Sequence, residues 1–192
     1  MPVKTERLIL REYAKEDKHS LYKLFSEKFV STYEAHLPKN ISGIEDYIIF
    51  HLENAKSSNR THYYYVIELQ ETREFIGSIG YASVGEININ GSYGSVMELE
   101  AYLLEEHWRK GYMTEVLKKV ISSAFENNNI VKIFGQCHKD NPKIEKVMIK
   151  CGMYKSENQP PPKLYNGKWK ENIRYELVTG RICPGVAPPV SF

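Results

Sequence analysis

The stretch that most restricts what this chain can become lies between residues 96 and 124. Val96 to Leu104, VMELEAYLL, reads as a strand. After the loop EEHWRKG, the residues Met113, Val116, Leu117, Val120, Ile121 and Ala124 fall at the i, i+3, i+4, i+7 spacing of a helix that buries one face. Gly111 stands at the changeover. The start of a helix leaves main-chain N–H groups without intrahelical partners, and with the helix dipole they make a site for a phosphate or another anion. A glycine removes the side chain that would block the approach. Arg109 and Lys110 add positive charge, but Glu105 and Glu106 cancel it formally, so any anion selectivity falls to the backbone. A plain turn glycine between strand and helix is the other reading of Gly111.

The remaining elements alternate in the same way. Arg7 to Arg11, RLILR, reads as a first strand, followed by a helix with Leu21, Leu24, Phe25 and Phe29 on one face. Ser42 with Glu45 matches a capping box, and Ile44, Ile48, Leu52 and Ala55 continue a helical stripe behind it. Tyr63 to Leu69 and Phe75 to Ala82 flank the polar turn ETRE as a hairpin, and glycines 85, 91 and 94 mark a loop before the fourth strand. Asn127, Asn128 and Asn129 end the amphipathic helix, and Val131 to His138 reads as a fifth strand. Ile144, Val147, Met148 and Cys151 stripe a short helix closed by Gly152. LYNGKW leading to IRYELV reads as a hairpin, with Asn166 and Gly167 suited to a turn of positive φ. The expectation is one domain over 1–179 and a Pro/Gly-rich tail, GRICPGVAPPVSF, over 180–192, which reads as a mobile or docking arm.

Composition narrows the function classes. A formal net charge of +2 with no block of like charge argues against a nucleic-acid partner. MPVKTERLIL lacks the apolar core of a signal peptide, and no apolar run approaches the roughly 20 residues that span a bilayer, so a cytoplasmic protein without a membrane partner is expected. Three cysteines, Cys137, Cys151 and Cys183, without CxxC spacing indicate neither a disulfide framework nor a metal site, and the first two read as reduced and buried. Fourteen tyrosines, three of them consecutive at 63–65, read as filling a sheet and lining a cleft.

Several separated pieces together resemble the GCN5-related N-acetyltransferases, the GNAT superfamily, and within it the branch that includes the ribosomal-protein acetyltransferases. TERLILRE at 5–12 looks like that branch's first strand and FIGSIGY at 75–81 like its third. ELEAYLLEEHWRKGYMTEVL at 98–117 looks like its acetyl-CoA motif, and NPKIEKVMIKCGM at 141–153 is similar to its later motif. The resemblance implies an α/β fold of α+β type: a mostly antiparallel central sheet, splayed between strands four and five and flanked by helices. It also implies acetyl-CoA as co-substrate, no metal, and transfer of acetyl to a primary amine.

Residue by residue, the resemblance places Arg109, Lys110, Gly111, Tyr112, Met113 and Thr114 around the coenzyme A pyrophosphate, and lays the pantetheine along Ala101, Tyr102 and Leu103. It also gives Asn141 a hydrogen bond to the pantetheine. A turn Asn before a helix remains the other reading of Asn141. Trp108 and Met113 depart from the usual loop, and Met148 stands where many relatives place a Tyr that protonates the thiolate, so no general acid is assigned. Glu98, Glu100 and Tyr102 share one face of a regular strand, and either carboxylate, Glu100 before Glu98, could relay the amine's proton through water. The alternative is that both are solvated or paired across strands. His138 could reach the cleft or be a plain loop residue. Thr32 to Pro38 and the hairpin around Tyr165 and Trp169 are expected to wall the acceptor side, where a protein N-terminus or a small amine would sit. A non-catalytic acyl-CoA sensor is the contrasting function, motivated by Met113 and Met148, and a homodimer would cover the tail's apolar residues.

Overall fold

The computed structural model describes residues 3–34, 36–127, 129–165 and 168–179. The chain divides into two compact units, residues 1–82 with 100–113, and 83–99 with the chain from 114 onward. Asn128, the Asn166–Gly167 turn and the 180–192 tail with Cys183 lie outside the described residues.

The first unit contains β1 (Val3–Lys4), β2 (Leu8–Glu12), α1 (Lys18–Ser26), α2 (Lys28–Tyr33), α3 (Ile41–Lys56) and β3 (His62–Leu69). It also holds the start of β4 (Phe75–Ile89) and the end of β5 (Ser92–Leu103). Its strands lie in the order β1–β2–β3–β4–β5, with β1 to β4 antiparallel, as in Leu10↔Ile67 and Tyr63↔Tyr81. Leu8, Ile9 and Leu10 are all buried, so RLILR is a strand covered on both faces rather than an alternating one. Leu21, Leu24 and Phe25 of α1 and Ile44 and Ile48 of α3 pack with Tyr13, Tyr64 and Val66 into one core. Burying each such side chain contributes about 1.5–3 kcal/mol. Arg11 ties the turn before α1 to β3, donating to both Asp17 oxygens at 2.7 Å and to Glu68 at 2.5 Å.

Three local expectations change here. The first helix does not run through Phe29: Glu27 leaves helical geometry at ψ 138°, and α2 starts afresh with Val30 buried and Phe29 37% exposed. The reason is long-range, because both Glu27 carboxylate oxygens accept the Glu105 N–H at 3.1 Å. The cap of α3 is Asn40, whose Oδ1 accepts the Gly43 N–H at 2.8 Å, while Glu45 pairs with Lys18 at 2.7 Å. Ser42 therefore does not close a capping box.

The third change belongs to the second unit, which holds the rest of β4 and β5, α4 (Tyr112–Asn127, from Thr114 on), β6 (Ile130–His138), α5 (Pro142–Lys150), β7 (Tyr154–Lys155) and β10 (Asn172–Val178). A separate pair, β8 (Lys163–Tyr165) and β9 (Lys168–Lys170), lies in the same unit. The stretch with glycines 85, 91 and 94 is not a loop. β4 and β5 continue through it to a two-residue turn, where Asn90 at φ 50° and Gly91 at φ 87° supply the two positive φ values of a type I′ hairpin. The strand order is β4–β5–β6–β10–β7, with β5 parallel to β6 and β6 antiparallel to β10. IRYELV thus pairs with β6 and β7, and the antiparallel partner of β8 is β9.

A parallel pair needs a crossover, and α4 provides it, burying Val116, Leu117, Val120, Ile121 and Ala124 as the spacing predicts. α5 ends in a Schellman motif: Gly152, at φ 85°, donates to Ile149, and Met153 donates to Met148, with both methionines buried. Cys137 and Cys151 are free and buried, and burial pushes both thiols up to about 11. Among the described residues no helix is long and apolar enough to cross a membrane.

Candidate active site

The last turn of β5 and the loop behind it are held from several directions within the first unit. Gly77 lets β4 come so close that a Cβ there would lie 2.2 Å from the Tyr102 carbonyl oxygen, and Leu104 N–H donates to Ile76 at 3.0 Å. Trp108 reaches back to donate its indole N–H to the Leu103 carbonyl at 2.8 Å, with its ring edge-on to Phe29. This accounts for the Trp that departs from the usual loop: it fastens the loop to the strand end. Glu27 holds the other end at Glu105.

Just past these anchors the backbone turns through left-handed geometry twice, at Arg109 (φ 63°) and Gly111 (φ 83°), before α4 opens at Tyr112. An ordinary side chain adopts such a φ at a cost of roughly 1–2 kcal/mol. Arg109, Lys110 and Gly111 are exposed, and Tyr112, Met113 and Thr114 are half-buried. Sequence reasoning missed Arg7, whose guanidinium donates to the Lys110 carbonyl at 3.0 Å and lies 4.7 Å over the Tyr112 ring. Exposed residues with positive φ lead directly into the first turn of a 16-residue helix, whose opening N–H groups lack intrahelical partners, an arrangement that can receive an anion.

The two candidate carboxylates part company. Glu98 accepts from Gln136 at 2.7 Å, so the cross-strand alternative is the one realised for it. The β5–β6 ladder stops one residue further on, at Leu99↔Gly135, while β5 continues to Leu103. Glu100, in the first unit, is 24% exposed and held at both oxygens: Oε2 accepts from the Tyr64 hydroxyl at 3.1 Å, and Oε1 lies 3.2 Å from His36 Nε2. His36 Nδ1 is 3.6 Å from Glu34. Burial pushes the Glu100 carboxyl up, but His36 and the Tyr64 hydroxyl outweigh it, and the group titrates below the usual carboxylate range. The 32–38 segment therefore does supply polar groups to this carboxylate. Burial also pushes the hydroxyls of Tyr47 and Tyr102 well up, with the Glu100 charge adding to it, and lowers His51 to about 4.

In the second unit, Asn141 occupies the cap position of α5 without a side-chain cap bond, and its backbone N–H donates to the His138 carbonyl at 2.8 Å in the turn that leads into the helix. His138 is buried, with Nδ1 accepting the Asp140 N–H at 3.1 Å, which folds the ring onto its own turn. Met148 is core, its sulfur packed against Gly135. The position that many relatives give to an acid offers no proton here. Trp169 is highly exposed on β9, and the Tyr165 side chain lies outside the described residues.

The acetyltransferase (GNAT) domain family matches residues 7–154. The chain is 27% identical over 180 residues to the uncharacterized N-acetyltransferase YoaA of Bacillus subtilis, covering 93% of this chain and 97% of that one. Among solved structures, the ribosomal-protein-S5-alanine acetyltransferase from Vibrio fischeri superposes with a TM-score of 0.76 at 18% identity, covering 98% of this chain and 100% of that one. Spermidine N-acetyltransferase from Vibrio cholerae, solved with CoA and spermine, does so with a TM-score of 0.71 at 18% identity, covering 89% and 95%.

Proposed function

Because this chain belongs to the GNAT acetyltransferase family, we propose that it transfers the acetyl group of acetyl-CoA directly to a primary amine, both substrates being bound together. The observation that carries the reading is the exposed loop with left-handed backbone at Arg109 and Gly111, opening directly into α4. In this reading the main-chain N–H groups of Arg109, Lys110, Gly111, Tyr112, Met113 and Thr114 hold the diphosphate. Ala101, Tyr102 and Leu103 present their backbone to the pantetheine, and Asn141 hydrogen-bonds it.

Acetyl-CoA supplies an activated acetyl group on a thiol leaving group. The protein's tasks are to orient the amine, to take its proton and to stabilise the charge that develops on the acetyl oxygen. Glu100 is the proposed base, acting directly or through one water, with Glu98 as the second candidate. A main-chain N–H near Leu103 faces the developing charge, and one such donor is worth roughly 2.7–4 kcal/mol. Holding amine and thioester in register supplies ~7–11 kcal/mol, so positioning dominates. A thiol of pKa ~8.5 can leave and take its proton from water, so a buried Met148 in place of an acid does not block turnover. The acceptor reads as a cationic amine, because half-buried tyrosines and the ionised Glu100 favour an ammonium. The two neighbours named for a ribosomal protein and for spermidine both fall in that class.

Glu100→Gln tests the assignment. We expect kcat to fall ~10²–10⁴-fold with coenzyme A affinity, read by calorimetry, unchanged. A variant retaining full kcat would remove Glu100 from the chemistry.

A further inference from the structure

We infer that His36, set between the carboxylates of Glu34 and Glu100, is the proton exit from the acceptor site, acting through Glu100 as a positioning and relay residue. The inference rests on the proposed acetyl transfer. Its geometry is Oε1 of Glu100 at 3.2 Å from Nε2 and Oε2 of Glu34 at 3.6 Å from Nδ1, on a ring that is 55% exposed. Glu100 is less than half as exposed and its second oxygen is taken by Tyr64. The groups around it are hydroxyls and rings: Tyr64 and His62 from β3, Tyr47 and His51 from α3, Tyr13, and Tyr102 from β5. Burial pushes Tyr13, Tyr47 and Tyr102 up, so they keep their protons at neutral pH, and it lowers His62 and, to about 4, His51, which leaves these groups poorer proton acceptors.

Acetylation of R–NH3⁺ by acetyl-CoA forms the amide C–N bond, breaks the C–S bond and frees two protons from nitrogen. One ends on the CoA thiol and one must reach solvent. In the relay, Glu100 takes that second proton and hands it to Nε2 of a neutral imidazole. The resulting imidazolium loses a proton from Nδ1, beside Glu34, to water. That leaves His36 as the neutral Nε2–H tautomer donating to the ionised Glu100, and the exposed ring exchanges protons with water to return to the Nδ1–H form that can accept at Nε2 in the next turnover. The same contact orients the Glu100 carboxylate and keeps it ionised against the pull of burial.

The test uses His36→Ala and His36→Gln, substitutions at an exposed position away from the core. First, the Glu100 side-chain carboxyl is titrated by NMR in the ligand-free protein. With His36 gone, burial acts with less opposition, so the midpoint must rise in His36→Ala. Second, kcat near neutral pH is expected to fall about tenfold, the scale of one charge-assisted hydrogen bond, with the acid limb of kcat/KM moved to higher pH. Added imidazole should restore turnover in His36→Ala, whereas the non-titrating His36→Gln should stay slow. An unmoved Glu100 midpoint, or a His36→Ala enzyme with wild-type kcat and no response to imidazole, overturns the proposal. If the wild type acetylates no amine, the acetyltransfer reading fails, while the NMR titration still decides whether His36 and Glu100 are coupled.

Discussion

Replacing Gly111 with alanine puts the loop's geometry to a quantitative test. Two costs are in competition. The first is conformational: an L side chain at φ 83° sits in the left-handed region, worth roughly 1–2 kcal/mol. The second is steric: the new Cβ would lie 3.3 Å from Nη2 of Arg7. That atom ends a flexible, exposed side chain, and a shift of a few tenths of an ångström relieves the contact while stretching an exposed hydrogen bond to Lys110. Strain should therefore dominate. Gly111→Ala is expected to lose about 1–2 kcal/mol, a drop in Tm of roughly 2–8 °C for a chain of this length. Urea and thermal unfolding of the single variant and of Arg7→Ala/Gly111→Ala separate the two costs: if strain is the cause, removing Arg7 recovers nothing. A Gly111→Ala protein as stable as the wild type, or full recovery in the double variant, would show that backbone strain is not the dominant cost.

Two further outcomes follow from the first unit. His51 is lowered from 6.5 to about 4, by burial first and then by His62, so between those values the unfolded chain binds a proton that the folded one does not. Stability is complete above pH 6.5 and is lost as pH falls toward 4, by up to about 3 kcal/mol. His51→Phe should flatten the slope in urea midpoints measured across that window, and an unchanged slope would contradict the assignment. For the α3 cap, Asn40→Ala should cost about 1 kcal/mol, whereas Ser42→Ala should stay within about 0.5 kcal/mol. The reverse order in thermal scans would return the cap to Ser42.

What could be read from the sequence divides by range. The strand over 96–104, the α4 stripe, the Gly152 cap and the loop glycine are local patterns whose period or turn chemistry sits within a few residues, and each is present. The split at Glu27 depends on Glu105, the site carboxylate depends on Tyr64 and His36, and the Lys110 carbonyl depends on Arg7, 103 residues away. No local period encodes such contacts. The Asn90–Gly91 turn is a different case. The signal was local and of the strongest hairpin type, but flanking glycines at 85 and 94 read as loop, although Gly94 sits in β5, where a Cβ would meet the Asn129 carbonyl at 2.3 Å. Glu98 and Glu100 share a strand face in sequence, and only their partners, Gln136 against Tyr64 and His36, distinguish them.

Every role proposed for the site requires that this chain acetylate a primary amine from acetyl-CoA. The most direct measurement is mass spectrometry of a panel of N-terminal peptides and polyamines after incubation with acetyl-CoA, with free thiol followed in parallel. At least one amine is expected to carry an added acetyl group, matched by an equal amount of released coenzyme A and formed ~10²–10⁴-fold more slowly by Glu100→Gln. Binding of acetyl-CoA with no acetylated amine and no thiol release across the panel would contradict that requirement.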